Sequence, residues 1–146
     1  MKTRRISILA ELNEVAKEVL ALCGKKDGAA VIGLSGDLGV GKTAFTKEIA
    51  HVLKIQEEIT SPTFVIMKSY AIREHPFFKT LIHIDAYRIE TDDEMRVLDF
   101  GGLLTDATKL ICIEWPENIQ ELLPKDMCVV SFILNKDETR DITYGT

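Results

Sequence analysis

Residues 29–34, Ala29-Ala30-Val31-Ile32-Gly33-Leu34, lead through Ser35 into Gly36-Asp37-Leu38-Gly39-Val40-Gly41-Lys42-Thr43. The first part is a short, nearly continuous apolar run, the pattern of a strand covered on both faces. The second fits G-x-x-x-x-G-K-[ST]. Behind it a helix is expected over about Lys42–Leu53, burying Phe45, Ile49, Val52 and Leu53. A glycine-rich loop between strand and helix is a phosphate cradle, because its N–H groups turn inward at the positive end of the helix. Lys42, opening an exposed helix end, then reaches the β- and γ-phosphates, and the Thr43 hydroxyl takes a Mg²⁺ ligand position. Gly36 to Thr43, with Ala44 in the first helical turn, are therefore the candidate nucleotide-binding residues. The pattern arises by accident on the order of once in 200 chains of this length. The flanking strand and helix make accident rarer still.

Around this loop the chain reads as one domain over residues 1–146. Residues 8–23 place Ile8, Leu12, Val15, Val19 and Leu22 at helical spacing, ending near Gly24. Apolar segments follow at Phe64–Ile72, Leu81–Ile84 and Leu110–Ile113, with a polar helical stretch at Thr91–Leu98 between the last two. Met127–Leu134 and Arg140–Tyr144 flank Asn135-Lys136-Asp137-Glu138, the pattern of an antiparallel hairpin. The expected fold is α/β, a three-layer P-loop sandwich with a mainly parallel sheet and an antiparallel C-terminal hairpin.

The 146 residues carry 18 basic against 23 acidic side chains, a formal charge of −5, with 46% hydrophobic and 28% charged residues. That is the composition of a folded globule, not of a disordered chain. No apolar run is long enough to cross a membrane. The basic start, Lys2 to Arg5, lacks an apolar run behind it, and reads as a solvated strand end rather than a signal peptide. Cys23, Cys112 and Cys128 have no metal-ligand spacing and read as buried free thiols in a reducing cytoplasm. The acidic balance argues against direct, stable gripping of nucleic acid.

A nucleotide held by such a loop needs a carboxylate for Mg²⁺, at the carboxyl end of a neighbouring strand. Asp85 and Glu114 both close apolar runs, and divide metal coordination and orientation of water between them in an order left open here. His83 alternates with apolar neighbours as a strand histidine does. Trp115 follows Glu114 directly, so its indole either packs beside the nucleotide or joins the core.

Asp99-Phe100-Gly101-Gly102 and Asn135-Lys136-Asp137-Glu138 imitate GTPase motifs. The charged run before Asp99, the glutamate at 138 and the eight residues after it (146 − 138) argue against that reading. Both read as turns, and ATP is favoured over GTP.

Four stretches resemble the bacterial TsaE (YjeE) ATPases of tRNA threonylcarbamoyladenosine synthesis: the loop at 36–43, Ser61-Pro62-Thr63-Phe64, His83-Ile84-Asp85-Ala86-Tyr87-Arg88 and Glu114-Trp115-Pro116-Glu117. The resemblance implies that Lys42 and its loop hold the phosphates of ATP or ADP, and that Thr43 and Glu114, with Asp85 nearby, manage Mg²⁺. It implies a switch at Ser61–Phe64 in which Thr63 senses the γ-phosphate, and an arginine, Arg140, near the nucleotide. Catalytic roles then fall to Lys42, Glu114, Asp85 and Thr63. The implied function is ATP hydrolysis in support of TsaD- and TsaB-like partners that transfer the threonylcarbamoyl group to tRNA. Two rivals are a small-molecule or nucleoside kinase, for which no arginine-rich lid is apparent, and a nucleotide-dependent binding switch with negligible turnover.

Overall fold

A computed structural model of the chain describes residues 1–62 and 66–146. In chain order the elements are β1 (Lys2–Ile6), α1 (Leu12–Leu22), β2 (Ala30–Ser35), α2 (Lys42–Val52), β3 (Met67–Ala71), β4 (Thr80–Asp85), α3 (Asp92–Val97), α4 (Phe100–Leu104), β5 (Lys109–Glu114), β6 (Cys128–Leu134) and β7 (Arg140–Gly145). Short 3₁₀ segments, Leu9–Glu11 and Pro116–Leu122, precede α1 and follow β5. The strands form one sheet in the order β1-β7-β6-β2-β5-β4-β3. Its four central strands, β6, β2, β5 and β4, are parallel, and the outer pairs at both edges are antiparallel.

The continuous apolar runs follow from burial on two faces. Along β2, Ala30, Ile32 and Leu34 enter one core with Leu12, Val15 and Val19 of α1 and Phe45 and Ile49 of α2. Val31 enters a second core with Ile111, Ile113, Met95 of α3, Phe100 of α4 and Ile119. Each fully buried leucine, isoleucine or phenylalanine contributes about 1.5–3 kcal/mol of transfer free energy. A strand covered on both sides has no polar face to alternate with. The expected three-layer sandwich is thus present, with parallel strands at its centre.

The differences lie at element ends and edges. Ile8 and Leu22, counted into the first helical stripe, are exposed, whereas Leu12, Val15 and Val19 are fully buried. Ile8 precedes the helix, and the buried face runs through Leu12, Val15, Ala16, Val19 and Cys23, which leaves Leu22 on the outer side. Lys2–Ile6 is a full edge strand paired with β7, not merely a strand end. Asp99 to Gly102, read as a turn, instead opens the short α4, with Asp99 in the left-handed region. Asn135–Glu138 is the hairpin turn expected, closed by the Asn135 N–H to the Thr139 carbonyl at 2.8 Å.

Glu94 caps α3 by accepting the N–H groups of Thr91 at 3.0 Å and Glu90 at 2.7 Å. The three cysteines are free and buried, and burial pushes the Cys23 thiol up to about 12. No helix among the described residues is long and apolar enough to cross a membrane.

Candidate functional site

The sheet decides where the chemistry collects. β2 runs into the glycine-rich loop, and its neighbour β5 ends beside it at Glu114, aligned with Leu34. The next strand, β4, ends at Asp85, which pairs directly with Glu114. Two carboxylates and a glycine-rich loop thus meet at the carboxyl ends of adjacent parallel strands, where open α/β sheets bind ligands. Side-chain alternation places Leu110, Cys112 and Glu114 on the face that α2 covers. Thr43, in the first turn of α2, meets Glu114 there: its hydroxyl lies 3.0 Å from Oε2 and 3.2 Å from Oε1.

The loop is shaped by its glycines. Gly36 has φ +146°, and a Cβ there would stand 2.8 Å from the Phe132 carbonyl and 2.9 Å from Val40 Cγ2. The loop is therefore pressed against β6. Gly36→Ala is expected to cost about 1–3 kcal/mol in chemical denaturation, and an unchanged midpoint would show that the contact is slack. Gly41, at φ +114°, caps α2 in a conformation that a side chain would strain.

Arg140 of β7 donates from Nε to the Val40 carbonyl at 2.9 Å. It braces the loop's backbone, a role that sequence position alone does not reveal.

A cavity of about 400 Å³ opens beside these groups, lined by Leu38, Gly39, Gly41, Lys42, Thr43 and Ala44 from the loop and helix. Ser61, Asp85, Tyr87, Arg88, Glu114 and Trp115 complete the lining. Gly36, Asp37 and Val40 belong to the loop but not to this wall. Thr63, the expected γ-phosphate sensor, lies outside the described residues, as does Phe64.

Lys42 differs from expectation. It is not at an exposed helix end but 4% exposed. Its ammonium donates to the Gly36 carbonyl and sits 3.7 Å from the centre of the Trp115 ring. Burial lowers its pKa from the ordinary lysine value, while the charges of Glu114, Glu117, Asp85 and Asp37 oppose that shift. Trp115 reaches it because the chain steps into the left-handed region there (φ 61°, ψ 51°), between β5 and Pro116. Such a step is costly for a bulky residue and persists only where its surroundings hold it. Here the Trp115 N–H bonds to the Leu34 carbonyl at 3.2 Å, and Tyr87 packs on the indole with centroids 5.0 Å apart. Trp115 thus lines the cavity and also packs against the second core.

The donor set suits a small hard cation. Thr43 and Glu114 present converging oxygen atoms, and Asp85 lines the same cavity with its Oδ1 accepting the Tyr87 N–H at 3.0 Å. Among the described residues no three His, Cys, Asp or Glu side chains converge to hold a metal unaided. Mg²⁺ takes one or two carboxylates and completes its shell with water and phosphate oxygens. The residues therefore fit Mg²⁺ arriving with a nucleotide.

His83, which reads in the sequence as an ordinary strand histidine, has a more specific place. It is fully buried, with Nε2 2.6 Å from Glu114 Oε2, and its Nδ1 has no hydrogen-bond partner among the described residues. The two-residue spacing from Asp85 is the available signal, since it puts both side chains on one face.

Residues 6–142 match the family described as Threonylcarbamoyl adenosine biosynthesis protein TsaE. The chain belongs to the TsaE family. The Bacillus subtilis (strain 168) TsaE is 36% identical over 137 residues, covering 92% of this chain and 78% of that protein. The Treponema pallidum (strain Nichols) TsaE is 37% identical over 121 residues, covering 82% and 84%. The crystal structure of Bacillus subtilis YdiB superposes with a TM-score of 0.70 at 31% identity, covering 98% of this chain and 83% of that one. TsaE proteins are involved in tRNA threonylcarbamoyladenosine biosynthesis, which agrees with the four stretches that carried the resemblance.

Proposed function

We propose that this chain is a Mg²⁺-dependent ATP hydrolase that supports threonylcarbamoyl modification of tRNA adenosine without transferring the group itself. The observation carrying the reading is the contact of Thr43 with Glu114 at 3.0–3.2 Å directly beneath a glycine-rich loop. A serine or threonine hydroxyl opening the helix and a strand-end carboxylate are the pair that P-loop hydrolases use on the metal side of the nucleotide.

In this mechanism the loop N–H groups bind the phosphates and Lys42 reaches toward the γ-phosphate. Lys42 leaves the Gly36 carbonyl to do so, while Trp115 shields it from water. Thr43 and Glu114 would hold Mg²⁺ bound with the nucleotide, with Asp85 lining the same cavity beside them. Bound with the nucleotide, Mg²⁺ supplies neutralisation of the charge on the β- and γ-phosphate oxygens. Arg140 keeps the loop in its binding shape through Val40.

The net charge of −5 leaves little to neutralise an RNA backbone. TsaD- and TsaB-like partners are accordingly assigned the transfer, in the cytoplasm. Purified protein with labelled ATP and Mg²⁺ is expected to release phosphate slowly with no acceptor present, and faster once that pair and tRNA are added. Release only in the presence of a phosphate acceptor would make it a kinase. Nucleotide binding with no release, alone or with partners, would make it a binding switch.

A further inference from the structure

His83 is a buried titratable side chain on β4 that the mechanism above leaves unused. On its own strand and on β5 its neighbours Leu81, Leu110 and Cys112 are apolar and buried, while Lys68 of β3 stands opposite it in register. A leucine would pack there with no polar atom to satisfy. The histidine instead leaves Nδ1 buried without a partner among the described residues, which costs free energy. Packing alone does not account for it.

Its other nitrogen has a specific target. Nε2 lies 2.6 Å from Glu114 Oε2, the distance of a charge-assisted hydrogen bond. Glu114 already accepts from the Thr43 hydroxyl. The carboxylate is therefore the acceptor toward His83 too, and the ring proton is assigned to Nε2. Oε2 is held by both His83 and Thr43, whereas Oε1 is approached by Thr43 alone among the described residues.

We propose that His83 is the positioning residue of this site, fixing the Glu114 carboxylate against Thr43 by holding Oε2 and leaving Oε1 presented to the cation side. The need for such a tether is visible in Lys42, whose ammonium is close enough to Glu114 to feel its charge. An untethered carboxylate would swing toward that ammonium and compete with phosphate for it. The inference rests on the proposed function in taking Glu114 as a cation-side ligand.

The test compares His83→Leu with His83→Gln, whose amide nitrogen falls near the position of Nε2. Each is made alone and in a Glu114→Gln background. ADP affinity is measured by calorimetry with EDTA and with Mg²⁺, alongside melting temperature and the kcat and KM for ATP. His83→Leu is expected to fold and to bind ADP in EDTA as the parent does. The gain in ADP affinity from Mg²⁺ should fall about 10- to 100-fold, with kcat falling more than KM changes. His83→Gln should recover most of both losses, and neither substitution should add to the effect of Glu114→Gln.

A His83→Leu protein that keeps the parent's Mg²⁺ gain and kcat would overturn the positioning role alone. So would a glutamine variant no better than leucine, or losses undiminished in the Glu114→Gln background. If His83→Leu fails to fold, His83→Gln decides: near-parent Mg²⁺ gain supports the tether, and loss of that gain in a folded protein refutes it. A parent that gains nothing from Mg²⁺ and releases no phosphate would sink the proposed function and this role with it.

Discussion

Lys42→Ala is expected to reduce ATP turnover by at least about 10²-fold, the scale for removing a charge-assisted contact that stabilises developing phosphate charge. The structure changes what else the substitution does. Lys42 is buried under Trp115 rather than exposed, so alanine removes a cation–π contact worth about 0.5–2 kcal/mol. It also relieves the burial of a charged ammonium, the leading cause of that group's lowered pKa. The two effects oppose each other, and the nucleotide-free protein should melt close to the parent. The contrast appears on adding nucleotide. At a ligand concentration of 100 Kd the parent gains about 2.7 kcal/mol, or about 5 to 10 °C for a chain of this size, and the variant should gain far less. Thermal melts with and without Mg²⁺–ATP, beside a phosphate-release assay, check both halves. A folded variant with parental turnover would show that the loop does not work on phosphate.

Glu114→Gln is expected to lower hydrolysis by at least about 10²-fold while ATP still binds. The side chain keeps its length, and its amide oxygen can still accept from His83. Its amide group, however, carries no charge for a cation and turns donors toward Thr43. The loss should therefore appear in kcat and in the Mg²⁺ titration more than in nucleotide affinity measured without metal. Single-turnover phosphate release beside equilibrium binding separates the two. Parental rates and an unchanged Mg²⁺ titration would return Glu114 to a structural part of the strand end.

Much of the site is legible in the sequence because its determinants are local. A loop needing glycine at Gly36 and Gly41, an apolar run before it and a helical stripe after it are written within about 25 residues. Asp85 and Glu114 can be named because each ends an apolar run, at the carboxyl end of a strand where open α/β sheets bind ligands; Asp85 is half-buried there and Glu114 buried. The hairpin turn at Asn135–Glu138 is equally local.

What the sequence leaves open depends on pairings between distant segments. Nothing near Lys2–Ile6 says that it pairs with β7, and nothing near β2 says that β5 and β6 flank it. Strand order comes from burying both faces of the central strands at once. Only that order aligns Asp85 with Glu114. The same is true of side chains that act across elements. Arg140 reaches Val40 across 100 positions, and His83 reaches Glu114 across 31. Lys42 is buried because the chain at Trp115, a left-handed step beyond β5, folds an indole over it. The sequence by itself determined which chemical groups the protein owns and the local shape of the glycine-rich loop. The tertiary structure decided which groups touch, because long-range burial sets strand neighbours and no local periodicity encodes them.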